Sequence, residues 1–245
     1  MTSSSVHPDA NLDDSRLAGR SSGSAQPDHP LSGAMDAALD GRELLGHAFY
    51  LRWQAGELAP DELARYAVNY RVFEAALPIV LSAVVEQLRD EGEVEAAATV
   101  GQNLHDELSR PEPHLALFDR FAAALDAPSV PEPGPAAQAL VATYADLVSE
   151  GPLAAVAGLA AYEIQAAAIA TTKGEGLRQW YGMDAAGTEF WDVHAGMEAD
   201  HGDWALDALA LLGADPDDVT EAARRGADAW WAFLDEREAE APVPA

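Results

Sequence analysis

The sequence predicts an all-α protein, and three observations carry that prediction. Ala and Leu dominate a chain of 245 residues that is 49 % hydrophobic, and β-branched runs are short, which favours helices over strands. Apolar residues recur at helical spacing almost throughout, whereas no stretch keeps the alternation of a half-buried strand. Gly56, Pro60, Pro111 and the Pro/Gly-rich stretch 127–135 then stand where helices should stop and start.

Taken in order, residues 1–33 are rich in Ser, Asp, Gly and Pro and poor in large apolar groups. They bury too little surface to offset ordering entropy, so a disordered tail is expected there. A helical domain is expected over 34–238, with a short tail at 239–245. Leu44, Leu45, Ala48 and Leu51 lie at helical spacing, with Gly56 as a stop. Pro60 opens a helix through Leu63, Tyr66, Tyr70 and Phe73, and Pro78 is expected to kink or end it. Further helices are expected over 94–108, from Pro111 to near Asp126, and over 136–149, 152–172, 187–212 and 216–237.

The charge balance narrows the function. Asp and Glu number 42 against 14 Lys and Arg, a formal charge of -28. So acidic a surface repels phosphate backbones and anionic membranes, and no basic patch opposes that reading, so neither nucleic acid nor membrane is an expected partner. Cysteine is absent, which removes disulfides, thiolate zinc sites, iron–sulfur clusters and a cysteine nucleophile. Any metal must be held by nitrogen and oxygen ligands, a set that suits iron, manganese or zinc. No apolar run reaches ~18 residues without a charge, and the N-terminus lacks the pattern of a secretory signal. A cytoplasmic protein is the expectation.

Two glutamates stand in strongly apolar surroundings. Glu74 lies in Val72-Phe73-Glu74-Ala75-Ala76-Leu77, and Glu163 in Leu159-Ala160-Ala161-Tyr162-Glu163-Ile164. A buried carboxylate needs a cation, donors or a raised pKa. Either alone reads as a buried ion pair or an exposed edge, but two in separate helices point further. His194-x3-Glu198-x2-His201 adds three ligand types that share one helix face, within about 60° of one another at 3.6 residues per turn. Asp106-Glu107…His114 is interrupted by Pro111 and Pro113. Glu107 therefore reads as the end of one helix and His114 as the first turn of the next, with His105 as a competing ligand. Carboxylate-bridged di-iron bundles project glutamates and His-bearing motifs inward from several helices in this way.

In this order, Glu74, Asn103-Leu104-x-Asp106-Glu107-x6-His114, Tyr162-Glu163 and His194-x3-Glu198-x2-His201, the sequence resembles the haem-oxygenase-like di-iron oxidases and oxygenases. The resemblance covers about residues 43–212. It includes His47-x-Phe49-Tyr50-x2-Trp53-x2-Gly56-x-Leu58 and Lys173-x2-Gly176-Leu177-x3-Tyr181-Gly182. It implies a haem-oxygenase-like bundle of seven to eight helices. It also implies two irons held by Glu74, Glu107, His114, Glu163, His194, Glu198 and His201, with Glu163 bridging. Many members carry Asp where this chain has Glu198, a departure that bears on how that iron is held. The implied activity is O2-dependent oxidation of a small molecule, two Fe(II) ions delivering electrons to O2, with an external reductant as a further partner.

Around the implied site, Tyr162 precedes Glu163 and Tyr70 lies one turn before Glu74, so either can donate a hydrogen bond or an electron, or be an ordinary core tyrosine. Lys173 lies ten residues after Glu163. In one branch that this chain resembles, the self-sacrificing p-aminobenzoate synthases, a lysine there and nearby tyrosines matter. Tyr162, Tyr70 and Lys173 are thus the candidate catalytic residues. Arg71 and Arg178, with Lys173, are candidate partners for a substrate carboxylate. Gly196 and Gly202 interrupt the ligand-bearing helix, where each costs about 1 kcal/mol relative to Ala. Trp230-Trp231 cannot both face one core, which makes one of them a candidate homodimer contact. His47 is the residue a haem protein would use on an early helix. The missing cysteine counts against a thiaminase-like relative and the full ligand set against a metal-free enzyme, while a non-catalytic helical metal-binding or interaction protein is the alternative from another class.

Overall fold

The computed structural model describes residues 29–109, 111–127 and 133–241, and of residues 197–202 the backbone alone. Nine α-helices and a 3-10 turn at Leu44–Gly46 make up the described residues, and no strand occurs among them. The helices are α1 (Ser32–Leu39), α2 (Ala48–Ala55), α3 (Pro60–Glu91), α4 (Val94–Ser109) and α5 (His114–Ala124). They continue with α6 (Pro135–Glu150), α7 (Pro152–Tyr181), α8 (Ala185–Leu211) and α9 (Pro216–Ala239). The tail expected at 1–33 lies outside the described residues up to 28, but Leu31 is buried and α1 begins at Ser32. Residues 242–245 of the expected C-terminal tail also lie outside.

Local chemistry sets most boundaries. Pro60 occupies the first turn of α3, and the Glu62 carboxylate reaches back to accept the Ala59 N–H at 2.8 Å. Gly92, at φ 86, ends that helix in a left-handed conformation. The His47 ring caps α2 by accepting the Phe49 N–H at 3.1 Å. Asp184 and Asp215 cap α8 and α9 in the same manner, through the amides of Gly187 and Asp217.

Two expectations about length are corrected. Pro78 neither ends α3 nor divides it, since the helix runs unbroken for 32 residues. Packing of α3 against α4, α5 and α6 holds it through the lost hydrogen bond. The backbone carbonyl of Glu74, four residues earlier, is the one left without an N–H partner in the helix. Likewise α7 runs to Tyr181, well past Thr172. Gly174 and Gly176, which weaken its helical signal, let Trp191 and Trp53 approach: a Cβ on Gly176 would sit 3.0 Å from Trp53 Cδ1.

α7 is the central helix, packed chiefly on α8 and α9, while α3 leans on α4. Where α7 and α9 cross, two glycines meet, and a Cβ on Gly226 would lie 2.4 Å from the Gly158 carbonyl oxygen. That approach seats Trp230 flat on Tyr162, with ring centroids 4.2 Å apart. One continuous core runs from Leu31 to Leu234. By length and composition α3 and α7 would each suffice to cross a membrane, and 56 % and 67 % of their apolar windows are buried inside the bundle.

Candidate metal centre

Four of the seven implied ligands converge. Glu74 from α3, Glu107 from α4, His114 from α5 and His194 from α8 are all buried, and each offers a ligand atom within 4.8 Å of the others. Donors on one ion at about 2.0–2.2 Å stand up to ~4.4 Å apart, slightly less than the 4.8 Å that bounds this cluster, so the cluster approaches the dimensions of a metal site. The turn broken by Pro111 and Pro113 does what the spacing suggested. Glu107 closes α4, His114 opens α5, and Nδ1 of His114 lies 3.1 Å from Glu107 Oε1. The rings of His114 and His194 are 4.5 Å apart. His194 Nδ1 donates to the Phe190 carbonyl at 2.7 Å, which fixes the orientation of the ring. His105, the competing candidate, is exposed and its carbonyl accepts from Ser109, so it stands outside the converging set.

Glu163 is buried but stands beside this set rather than within it. Its Oε1 lies 3.4 Å from Asn103 Nδ2, and its charge acts on Glu74. α8 runs on through Glu198 and His201, whose side chains, like those of Gly196's neighbours up to Gly202, lie outside the described residues.

The electrostatics ask for a cation. Burial, followed by the charges of Glu107, Glu163 and Asp119, holds the Glu74 carboxyl well above the usual carboxylate range. Its Oε1 has no hydrogen-bond partner among the described residues. A buried acceptor in that state costs about 1–3 kcal/mol, and a divalent ion removes that cost. Carboxylate oxygens and imidazole nitrogens without thiolate fit iron.

A second buried site lies nearby. Lys173 is 1 % exposed, and its Nζ donates to Tyr66 Oη at 2.5 Å. The ammonium position lies 4.3 Å from the Trp191 ring, 4.5 Å from Tyr50, 4.9 Å from Tyr66 and 5.1 Å from Tyr70. No carboxylate pairs with it in the described residues, and burial pushes its pKa well down. Tyr50 and Tyr66, whose hydroxyls are 3.1 Å apart, were not candidates from the sequence. The signal for Tyr66 was its place one turn before Tyr70. Tyr70 and Tyr162 do meet, hydroxyl to hydroxyl at 2.8 Å, so the two candidate tyrosines form one pair beside Glu163.

The remaining candidates have other uses. Arg71 pairs with Asp119 and Arg178 with Asp192 on the surface. His47 spends Nδ1 on the cap and Nε2 on Asp235 at 3.0 Å. Trp230 is core, while Trp231 packs edge-on against His47 and beneath Arg42.

Comparison with known proteins agrees with this geometry. The profile of a family described as iron-containing redox enzymes matches residues 64–231. A 4-aminobenzoate synthase of Nitrosomonas europaea is 34 % identical over 216 residues, 82 % of this chain and 88 % of that protein. One from Chlamydia muridarum is 32 % identical over 208 residues, 82 % and 87 % of the two chains. Among solved structures, a domain of unknown function with a heme oxygenase-like fold from Shewanella denitrificans superposes with a TM-score of 0.67 at 15 % identity. That match covers 86 % of this chain and 89 % of that one, and it shows the fold.

Proposed function

The chain belongs to the iron-containing redox enzyme family, and from that premise we propose that it is an O2-dependent, non-haem di-iron oxidoreductase that forms 4-aminobenzoate. The observation that carries this reading is the Lys173 amine, sealed among tyrosine and tryptophan rings at 2.5 Å from Tyr66 Oη. 4-Aminobenzoate joins a carboxylate and an amine across a benzene ring. A tyrosine side chain has the same para geometry, with oxygen where the product has nitrogen. Ring and amine are therefore already together inside the protein, next to a site whose donors fit iron.

Glu74, Glu107, His114 and His194 would hold iron, with Glu163, Glu198 and His201 completing the set for a second ion, and the bound metal would supply electrons for the reduction of O2. The chain's own residues do the rest. Burial shifts the Lys173 nitrogen toward its neutral, nucleophilic form. Tyr70 and Tyr162, in contact through their hydroxyls, offer a proton and an electron between the metal side and the ring cluster. Desolvation holds both Tyr66 and Tyr70 protonated by raising their pKa values well above the ordinary phenol. The aromatic walls, Trp53 and Trp191 included, exclude water from the amine.

The test is to load the protein with Fe(II) anaerobically, count metal, and admit O2 and a reductant with no organic substrate added. About two irons per chain and 4-aminobenzoate whose nitrogen carries label from 15N-lysine protein are expected. Product that appears only with an added small molecule, over many turnovers, would replace self-supply by an ordinary oxygenase. Iron binding unchanged in Glu107→Ala and His194→Ala would end the metal reading.

A further inference from the structure

A cavity of about 20 Å3 lies between α3, α4, α7 and α8, walled by Leu81, Val100, Val156, Leu159 and Ala205. Among the described lining residues its carboxylate and amide groups are those of Glu163 and Asn103, which meet there. A water molecule needs roughly 10–15 Å3 and two to four polar partners, whereas apolar cavities stay dry and take apolar guests. The space thus suits one small apolar molecule resting against the carboxylate implied to bridge the metals. Its last wall is Trp204, which also lines a surface groove of about 420 Å3 with Ala97, Gly101, Gln102 and His105. The Trp204 indole is thus shared by the cavity and the surface groove. At Gly101 the groove is open, with nothing within 4 Å of where a Cβ would be.

We propose that this cavity is a dioxygen-holding site and that O2 reaches the metal centre through it, past Trp204. The proposal rests on the O2-dependent reading above. Neither the lysine cage nor the two exposed arginine pairs offers such a path, because the former is closed by packed rings and the latter are solvated. The cavity walls come from four helices whose backbones α7 and α3 hold in place, so it persists without a guest. Its apolar lining favours O2 over water, and its position delivers O2 on the Glu163 side, away from Lys173.

Crystals of the full chain pressurised with xenon test the site without any metal chemistry. A xenon peak in contact with Leu81, Val100 and Leu159 is expected, and its absence would overturn the proposal. Ala205→Phe and, separately, Val100→Phe fill the space. Each is expected to abolish the xenon peak, keep Fe(II) binding, and slow oxidation of the ferrous protein at limiting O2 by about tenfold. Trp204→Ala, which opens the wall, is expected to quicken it. Oxidation at the wild-type rate in a filled variant that still binds Fe(II) would overturn the route. Failure of the functional reading looks different: wild-type ferrous protein would then be inert to O2 whether or not xenon binds.

Discussion

Two buried polar sites share the interior and have opposite electrostatic characters. Around Glu74, Glu107, His114 and His194, carboxylates crowd together and raise the pKa of Glu74. Around Lys173, rings replace counter-charges, and burial alone lowers the amine's pKa. Burial is complete in both, so the difference lies in the neighbours. At one site burial and like charges disfavour the carboxylate's charge, and at the other burial disfavours the ammonium's. On the proposed reading a single fold thus sets a metal ligand set and a nucleophile in one interior, together with the Tyr70–Tyr162 pair.

The sharpest way to separate the sites is to damage each in turn. Glu107→Ala or His194→Ala is expected to weaken iron binding by about 10–100-fold or more and remove product, as measured by metal analysis and mass spectrometry. Lys173→Met is expected to leave iron binding unchanged while product formation falls to background. If Lys173→Met instead released iron, the two sites would be one.

A smaller effect should reach the ring side alone. Gly226→Ala forces a Cβ against the Gly158 carbonyl and so pushes α9, with Trp230, away from Tyr162. Overpacking of that kind costs about 1–3 kcal/mol, roughly 2–4 °C in Tm for each kcal/mol at this chain length. The four converging candidate ligands come from α3, α4, α5 and α8, so Fe(II) binding by those four should hold.

pH separates the sites by sign. Lys173 has a folded pKa below the unfolded value of about 10.4, so in the window between them the unfolded chain holds more protons and wild-type stability rises with pH. Lys173→Met should therefore be more stable than wild type at neutral pH by about 1–2 kcal/mol, and the advantage should shrink as pH climbs through that window. Glu74 behaves oppositely. Its folded pKa is raised above about 4.3, so metal-free wild type loses stability as pH rises through the window. Glu74→Gln should flatten that loss, a gain of about 1 kcal/mol without metal at neutral pH, and should lose the advantage once iron is added. Denaturation monitored by circular dichroism at several pH values reads all four curves.

The four candidates that converge were legible in the sequence because their signals are local, such as a glutamate in an apolar run and a histidine after a double-proline turn, while the Glu198 and His201 side chains lie outside the described residues. The ring side was legible only in part. Lys173 and the Tyr70–Tyr162 candidates were in view, but Tyr50, Tyr66, Trp53 and Trp191 reach the lysine from α2, α3 and α8. No spacing rule links residues on separate helices. Helix ends failed for a related reason. Pro78 and the glycines at 174 and 176 are unfavourable in isolation, and tertiary packing overrides them. Helix α1 carries its apolar pattern in Ala34, Met35, Ala38 and Leu39, hidden beside a Ser/Gly-rich stretch.

The long run of α7 past residue 172 has a further consequence. Glu163 and Lys173 ride on one rigid rod, about 15 Å apart along its axis at 1.5 Å per residue. Inserting or deleting a single residue between them would turn the lysine by about 100° relative to the glutamate, out of its ring of aromatic neighbours. Lineages descended from this architecture are thus free to vary the kinds of residue along that segment of α7, but not their number.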